Sequence, residues 1–326
     1  MSIINIWILG KWHANISKFW KNSMKVFVLA PNENWICDRI VEEWNAHMSH
    51  LSAANISEAD ILWLQAGWCW NHIPTQILEK KKVLLTEHHI VPEKFGTSQR
   101  DEFKFRDQFI DAYHVPNRFT AKFIRGLTTK PIHVLGYWFD DQKWYEEDKV
   151  ACCKSLGLPH DMFIVGSFQR DTEGSTNAPK LEKGPDLFCD YLESLNRHDL
   201  HVLLGGWRRG YVIDRLKHAG ISFTYFEKAS IDIVRKMYNA CDLYIVASRY
   251  EGGPQAIYEA AAMKVPIIST NVGTASDVLC NTCIVDLSRE TYYPTKKDID
   301  LNFNKVQDYN MINHMQNYEK LLREIV

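Results

Sequence analysis

The sequence lacks the features that mark membrane, metal-binding and nucleic-acid-binding proteins. The apolar run at residues 3–9 is too short to span a membrane and has no basic leader, and no later run reaches spanning length. Among eight cysteines there is one C-x-x-C, Cys280–Cys283, without a second pair or H-x-x-x-H at zinc spacing. The net charge of −2 gives no general attraction to nucleic acid. We therefore expect a cytoplasmic protein with reduced thiols, no metal and no nucleic-acid partner.

The composition is that of a soluble globular protein. Of 326 residues, 46% are hydrophobic and 24% are charged, and the length suits two domains that each bury a core. We find neither a short-period repeat nor a low-complexity segment. The oligomeric state is left open.

The stretch Cys241–Val272 organises the chain. A short apolar run is followed by the loop Arg249–Pro254 with two glycines, an Ala-rich helix at Gln255–Met263 and a second apolar run. This order predicts a strand, a turn, a helix N-terminus and a strand of a parallel α/β sheet. Unpaired N–H groups at such a helix start attract anions. Glu251 and Glu259, eight residues apart, can both face the crevice and accept hydrogen bonds from sugar hydroxyls. The combination suits a sugar nucleotide.

The first 140 residues alternate strand and helix, which predicts a doubly wound parallel sheet. Conspicuous turns follow three strands at Gly10-Lys11-Trp12, Gln65–Trp68 and Glu87-His88-His89. Because the carboxyl ends of parallel strands share one edge, these turns should converge on one cleft. His88 and His89 are therefore candidates for contact with a reacting sugar. Gly10 and Lys11 are candidates for a loop on the acceptor or donor side of the cleft.

The predicted helix from Trp12 to Asn22 has two interpretations. Its aromatic stripe and surrounding lysines would suit weak peripheral contact with a membrane. A core stripe with a solvated lysine face explains the same spacing and is favoured.

The pattern restarts at Lys149 with a helix to Leu156 and a strand at Met162–Phe168, which predicts a second sheet. Arg170 follows this strand, and Lys183-Gly184 opens the next helix after twelve intervening residues. A later strand ends at Gly205–Gly210, where Arg208 and Arg209 could meet phosphate or an acceptor's acid group, or could be solvated surface. A last helix is predicted at about Gln307 to Ile325.

Several of these strings together resemble one known family. Ser248-Arg-Tyr-Glu-Gly252, Glu259-Ala-Ala-Ala, Pro266-Ile-Ile-Ser-Thr270 and Val272-Gly273 are similar to the E-x7-E region of the family-4 retaining glycosyltransferases, group 1 glycosyl transferases of the GT-B fold. The resemblance implies two Rossmann-like domains that face a central cleft. Residues 1–140 would form the acceptor-side domain, 141–306 the nucleotide-sugar-binding domain, and 307–326 a helix that returns to the first domain.

The resemblance also assigns roles to residues. His88, in a Thr-x-His pattern, would lie beside the donor sugar, with His89 the lesser candidate. Lys183 and Arg170 would hold the diphosphate, although the twelve-residue separation is longer than usual in the family. Glu251 would bind sugar hydroxyls and Glu259 the ribose. The implied catalytic residues are Glu251, His88 and Lys183, and the donor-binding residues are Arg170, Lys183, Glu251, Gly252, Gly253, Gln255, Ala256 and Glu259.

The implied activity is transfer of a hexosyl-type sugar, with retention and without a metal, from a UDP- or GDP-sugar to a hydroxyl of a glycan or glycolipid. A sugar-nucleotide epimerase and a non-catalytic sugar-nucleotide-binding subunit are the alternatives. Three positions depart from the family pattern. Lys264 replaces a glycine that commonly ends the helix, so we expect a mildly strained left-handed residue there, at a cost of about 1 kcal/mol. Thr274 replaces a second common glycine, and Asp277 replaces a common glutamate farther along.

Overall fold

A computed structural model describes residues 24–32, 36–174 and 176–326. The predictions for the strand Ile3–Leu9, the following helix and the candidates Gly10 and Lys11 lie outside the described residues.

The first half of the chain contains a parallel sheet of five described strands in the order β1-β2-β3-β4-β5. Their side chains are mostly apolar because helices cover both faces of such a sheet. All four residues of β2 are buried, for example. The strands are β1 Val26–Leu29, β2 Ile61–Leu64, β3 Lys82–Thr86, β4 Ala112–Val115 and β5 Ile132–Val134.

The second half contains another parallel sheet of five strands, in the order β10-β9-β6-β7-β8. The chain therefore builds outward from β6 in one direction and then returns to its other side, as in a doubly wound sheet. The strands are β6 Phe163–Phe168, β7 Leu200–Gly206, β8 Ser222–Glu227, β9 Leu243–Val246 and β10 Ile267–Ser269.

Several helix ends follow from local sequence. Asp148 accepts a hydrogen bond from the Ala151 N–H at the start of α5, and Gly157 ends that helix in the left-handed region, so the predicted helix Lys149–Leu156 is confirmed. The helices are α1 Ile36–His47, α2 Thr75–Leu78, α3 Thr97–Asp107, α4 Arg118–Ile124, α5 Lys149–Leu156, α6 Pro185–Ser194, α7 Gly210–Ala219, α8 Ile231–Asn239, α9 Gln255–Ala262, α10 Ala275–Val278, α11 Lys296–Val306 and α12 Met311–Arg323. Short 3₁₀ turns occur at Ile56–Glu58, Cys69–His72, Pro92–Lys94, Leu181–Lys183, Asn281–Cys283 and Gln307–Tyr309.

The last helix returns to the first sheet, as predicted, but it begins later than expected. A 3₁₀ turn precedes it, and α12 starts at Met311. The ring of Tyr318 stacks on Trp63 of β2 at 5.3 Å and meets Trp138 edge-on at 5.0 Å. The proposed domain limits at residues 140 and 306 remain a prediction. No helix within the described ranges combines the length and the apolarity needed to cross a membrane.

Candidate functional site

The strand order of the second sheet creates a crevice between β6 and β9. These strands are neighbours, but the chain continues from β6 toward one edge of the sheet and from β9 toward the other. Open α/β sheets bind ligands at the carboxyl ends of strands where the order reverses in this way. Gln169 and Arg170 follow β6, and the loop with Ser248 and Glu251 follows β9. The two sequence-predicted turns are therefore brought together.

Lys183 and Glu251 form the centre of this crevice. Lys183 Nζ lies 2.5 Å from Glu251 Oε1, and Ser248 Oγ donates to the same oxygen at 3.1 Å. Burial acts to raise the pKa of Glu251, but Lys183, His89 and these hydrogen bonds outweigh it and hold the pKa below its usual value. Glu251 is thus an ionised acceptor paired with a cation at neutral pH.

The glycine after Lys183 is required by its surroundings. Gly184 has φ of +61°, and a Cβ there would lie 1.8 Å from the carbonyl oxygen of Ala247. Only glycine adopts this conformation readily and leaves room for the neighbouring backbone. The Lys183-Gly184 pair thus places Lys183 against the loop that carries Glu251, since Ala247 begins that loop.

The glycines after Glu251 are required by close contacts with other parts of the chain. A Cβ at Gly252 would lie 2.6 Å from the carbonyl oxygen of His88. A Cβ at Gly253 would meet the Tyr137 ring at 2.7 Å, and Asn117 Nδ2 donates to the Gly252 carbonyl at 2.7 Å. The glycine turn therefore packs against the first half of the chain.

Glu259 does not face an open crevice, contrary to the expectation from its spacing. It is 5% exposed, and its Oε1 accepts a hydrogen bond from Arg39 Nη2 at 2.6 Å. Its Oε2 accepts from the Tyr238 hydroxyl at 2.9 Å. Arg39 also donates to Gln255 Oε1 at 3.3 Å. Glu259 and Gln255 therefore join α9 to α1, while Ala256 packs at the edge of the core.

The two candidate histidines have different surroundings. His88 Nε2 lies 2.5 Å from the Gln65 carbonyl and therefore donates, while Nδ1 accepts from the Tyr137 hydroxyl. Burial lowers the pKa of His88 to about 4, so the ring is neutral. For His89, no hydrogen bond to the ring is found within the described part of the chain. Burial also lowers the pKa of His89, and the nearby charges of Glu251 and Lys183 act on it. The ring of His89 is thus freer to meet a ligand.

The three candidate arginines beside the second sheet have different surroundings. Arg170 is half-buried, and among the described residues nothing forms an ion pair with it. Arg209 is neither solvated nor directed at open space, so both interpretations of it are wrong: it is 1% exposed and pairs with the equally buried Asp171 at 2.7 Å. The Arg208 guanidinium instead lies 3.9 Å from the Trp207 ring centre, and its carbonyl accepts hydrogen bonds from Asp171 and Thr172.

The C-x-x-C pair lies in a separate cluster. Cys280 Sγ and Cys283 Sγ are 3.4 Å apart, and Asp298 Oδ1 is 3.4 Å from Cys280. Asp298 already accepts hydrogen bonds from Thr282, Tyr292 and Thr295. Its carboxylate is therefore bonded within the fold.

Sequence reasoning missed four residues that contact this site or its loops. Arg39 lies on α1, a helix we did not predict, and Tyr137 and Lys180 gave no local signal. Asn117 could have been found, because an Asn before an apolar helix is a typical N-cap, and its Oδ1 indeed accepts from the Thr120 N–H at 2.8 Å.

Comparison with known proteins finds similarity to glycosyl transferases in the region that carries the resemblance. Residues 174–289 match the family model of glycosyl transferases group 1, and this range contains Cys241–Val272. The lipopolysaccharide core biosynthesis mannosyltransferase LpsB of Rhizobium meliloti is 27% identical over 187 residues, which cover 54% of this chain and 50% of that protein. Glycogen synthase of Thermosipho melanesiensis is 28% identical over 176 residues, which cover 52% of this chain and 35% of that protein. The aligned region thus spans half or less of these relatives.

Similarity to solved structures covers nearly the whole chain. Anabaena Alr3699/HepE in complex with UDP and glucose superimposes with a TM-score of 0.69 at 14% identity, over 92% of this chain and 100% of that one. Sucrose-phosphate synthase from Thermosynechococcus elongatus gives 0.64 at 15% identity, over 88% and 77%. With the two five-stranded parallel sheets, these neighbours confirm the GT-B fold.

Proposed function

We propose that the protein is a retaining glycosyltransferase that transfers a hexosyl-type sugar from a nucleotide-diphosphate sugar to a hydroxyl of a glycan or glycolipid. The observation that carries this proposal is the Lys183–Glu251 pair at the crevice of a sheet whose region matches the group 1 family model. A cation and a carboxylate side by side suit a ligand that offers a phosphate to one and sugar hydroxyls to the other. A UDP-sugar is the first donor to test, because the solved Anabaena neighbour is a complex with UDP and glucose.

The geometry supports a division of roles. A donor that enters the crevice separates Lys183 from Glu251, so that Lys183 meets the β-phosphate and Glu251 the sugar hydroxyls. The bond between sugar C1 and the β-phosphate oxygen breaks, and Lys183 with Arg170 stabilises the negative charge that develops on that oxygen. The acceptor oxygen bonds to C1 on the same face, and its proton passes to the leaving phosphate. This route uses no base on the far side of the sugar and no metal.

Two further contacts belong to this proposal. Glu259 binds the ribose. Because both carboxylate oxygens of Glu259 are bonded in the described arrangement, this binding requires the two halves of the chain to move apart so that Arg39 releases Glu259. His89 meets the sugar or acceptor from the first sheet, while His88 holds that loop through Gln65 and Tyr137.

The test begins with thermal shifts against UDP-, GDP- and ADP-sugars, because a ligand that binds the folded state raises its stability. Transfer and donor hydrolysis are then measured with the donor that binds. We expect Lys183→Ala and Glu251→Gln to lower kcat by about 10²-fold or more. Lys217→Ala, at an exposed position of α7, is the matched control and should be unaffected. Full activity in both site variants would refute the site assignment. Formation of the epimeric sugar from the donor without an acceptor, identified by NMR, would indicate an epimerase.

A further inference from the structure

The long segment between Arg170 and Lys183 folds back on itself. Thr172 and Pro179 form an antiparallel bridge, and the Lys180 N–H donates to the Asp171 carbonyl at 2.7 Å. The Asp171 carboxylate is fixed in turn by Arg209. The segment therefore ends where it begins, and Lys180 lies beside the residue that follows Arg170.

A 3₁₀ turn then holds Lys180 close to Lys183. The Lys183 N–H donates to the Lys180 carbonyl at 2.8 Å, and Lys180 directly precedes the turn Leu181–Lys183. Both lysine side chains are 19% exposed. Two backbone hydrogen bonds thus bring Lys180 and Lys183 close to Arg170, which precedes them by ten or more residues.

This cluster has fewer carboxylates than cations. Lys183 pairs with Glu251, but Lys180 lies 3.5 Å from Glu182, which also accepts hydrogen bonds from Lys94 at 3.1 Å. Within the described ranges Arg170 has no acidic partner. Burial lowers the pKa of Lys180, and the neighbouring Arg170 and Lys183 lower it further. Like charges held together in a half-buried place are stabilised by an anion that contacts all of them.

We infer that the pairing of Thr172 with Pro179 places Lys180 as a third cation in the diphosphate pocket, where it contacts the β-phosphate together with Lys183. This inference rests on the proposed function, and it gives the unusually long segment a role. A lysine is a mobile point charge, which suits a phosphate that moves as the sugar bond breaks. The added cation makes the pocket select nucleoside diphosphates over monophosphates.

Calorimetric titration with UDP and with UMP tests the inference, using the wild type, Lys180→Ala, Lys180→Arg and the control Lys217→Ala. We expect Lys180→Ala to weaken UDP binding about 10-fold, since loss of one charge-assisted contact costs on the order of one decade. UMP binding should change less than about 2-fold, which also shows that the variant is folded, and Lys180→Arg should retain most of the UDP affinity.

Two results would overturn the inference alone: UDP affinity unchanged in Lys180→Ala, or equal losses for UDP and UMP. The proposed function fails separately, and the inference with it, when the wild type binds none of UDP, GDP or ADP under conditions in which it is folded.

Discussion

Replacing Arg209 by Met should destabilise the second half of the chain strongly. The guanidinium donates to Asp171 Oδ2 at 2.7 Å, to the Ser167 carbonyl at 2.5 Å and to the Gly205 carbonyl at 3.0 Å. Methionine fills much of the volume but donates nothing, so the Asp171 charge stays buried without a partner. Removal of one partner of a buried ion pair costs about 3–5 kcal/mol.

The neighbouring Arg208 provides a matched control. Its guanidinium lies over the Trp207 ring at 3.9 Å, a contact worth about 0.5–1 kcal/mol, so Arg208→Met should lower the free energy of unfolding by no more than that. A double replacement, Arg209→Met with Asp171→Leu, removes both charges and should recover much of the loss, because apolar groups often replace a buried pair at little cost.

Urea unfolding followed by circular dichroism measures these differences in the free energy of unfolding. Titration with UDP measures the affinity of the diphosphate pocket. We expect Arg209→Met to weaken UDP binding as well, because Asp171 anchors the segment that carries Lys180. The reasoning is refuted when Arg209→Met costs no more than Arg208→Met, or when the double variant is no more stable than Arg209→Met alone.

Three further stability predictions follow from individual residues. Burial holds the pKa of His88 at about 4, below its value in the unfolded chain, so the folded state binds fewer protons than the unfolded state. The contribution of His88 to the free energy of unfolding is therefore fully present above about pH 6.5 and is lost as the pH falls toward 4. His88→Gln should lower the slope of unfolding free energy against pH in that window by up to about 1.4 kcal/mol per unit, and an unchanged slope would contradict this. Lys264 has φ of +55°, a conformation in which a Cβ is strained. In urea unfolding, Lys264→Gly should therefore be about 1 kcal/mol more stable than Lys264→Ala, since both variants lack the long side chain and only alanine keeps the Cβ. Equal stabilities would argue against strain. Asp298→Ala should cost about 2 kcal/mol, because the carboxylate caps α11 through the Thr295 N–H at 2.8 Å, whereas exposed Asp300→Ala should change the same measurement by less than about 0.5 kcal/mol.

The local patterns of the second half of the chain were predicted closely. The strand predicted at Met162–Phe168 is β6 at Phe163–Phe168, and the helix predicted at Gln255–Met263 is α9 at Gln255–Ala262. The left-handed conformation expected at Lys264 is confirmed. Apolar periodicity, caps and glycine positions are properties of neighbouring residues, so a single sequence carries them.

The first half was predicted less completely. We did not predict α1 at Ile36–His47, and Arg39 was missed with it. The partner of Arg39 is 220 residues away, and no local spacing indicates which arginine will meet Glu259.

The sequence by itself determined the two sheets, the strand-turn-helix unit and the residue types of the site, because these depend on periodicity and on motifs within a few residues. Only the tertiary structure decided which groups are available to a ligand. It buried Arg209 against Asp171, engaged both oxygens of Glu259, and returned Lys180 to Arg170 and Lys183. The physical reason is that burial and charge pairing depend on which segments approach in space, and contacts across ten to two hundred residues leave no trace in local pattern.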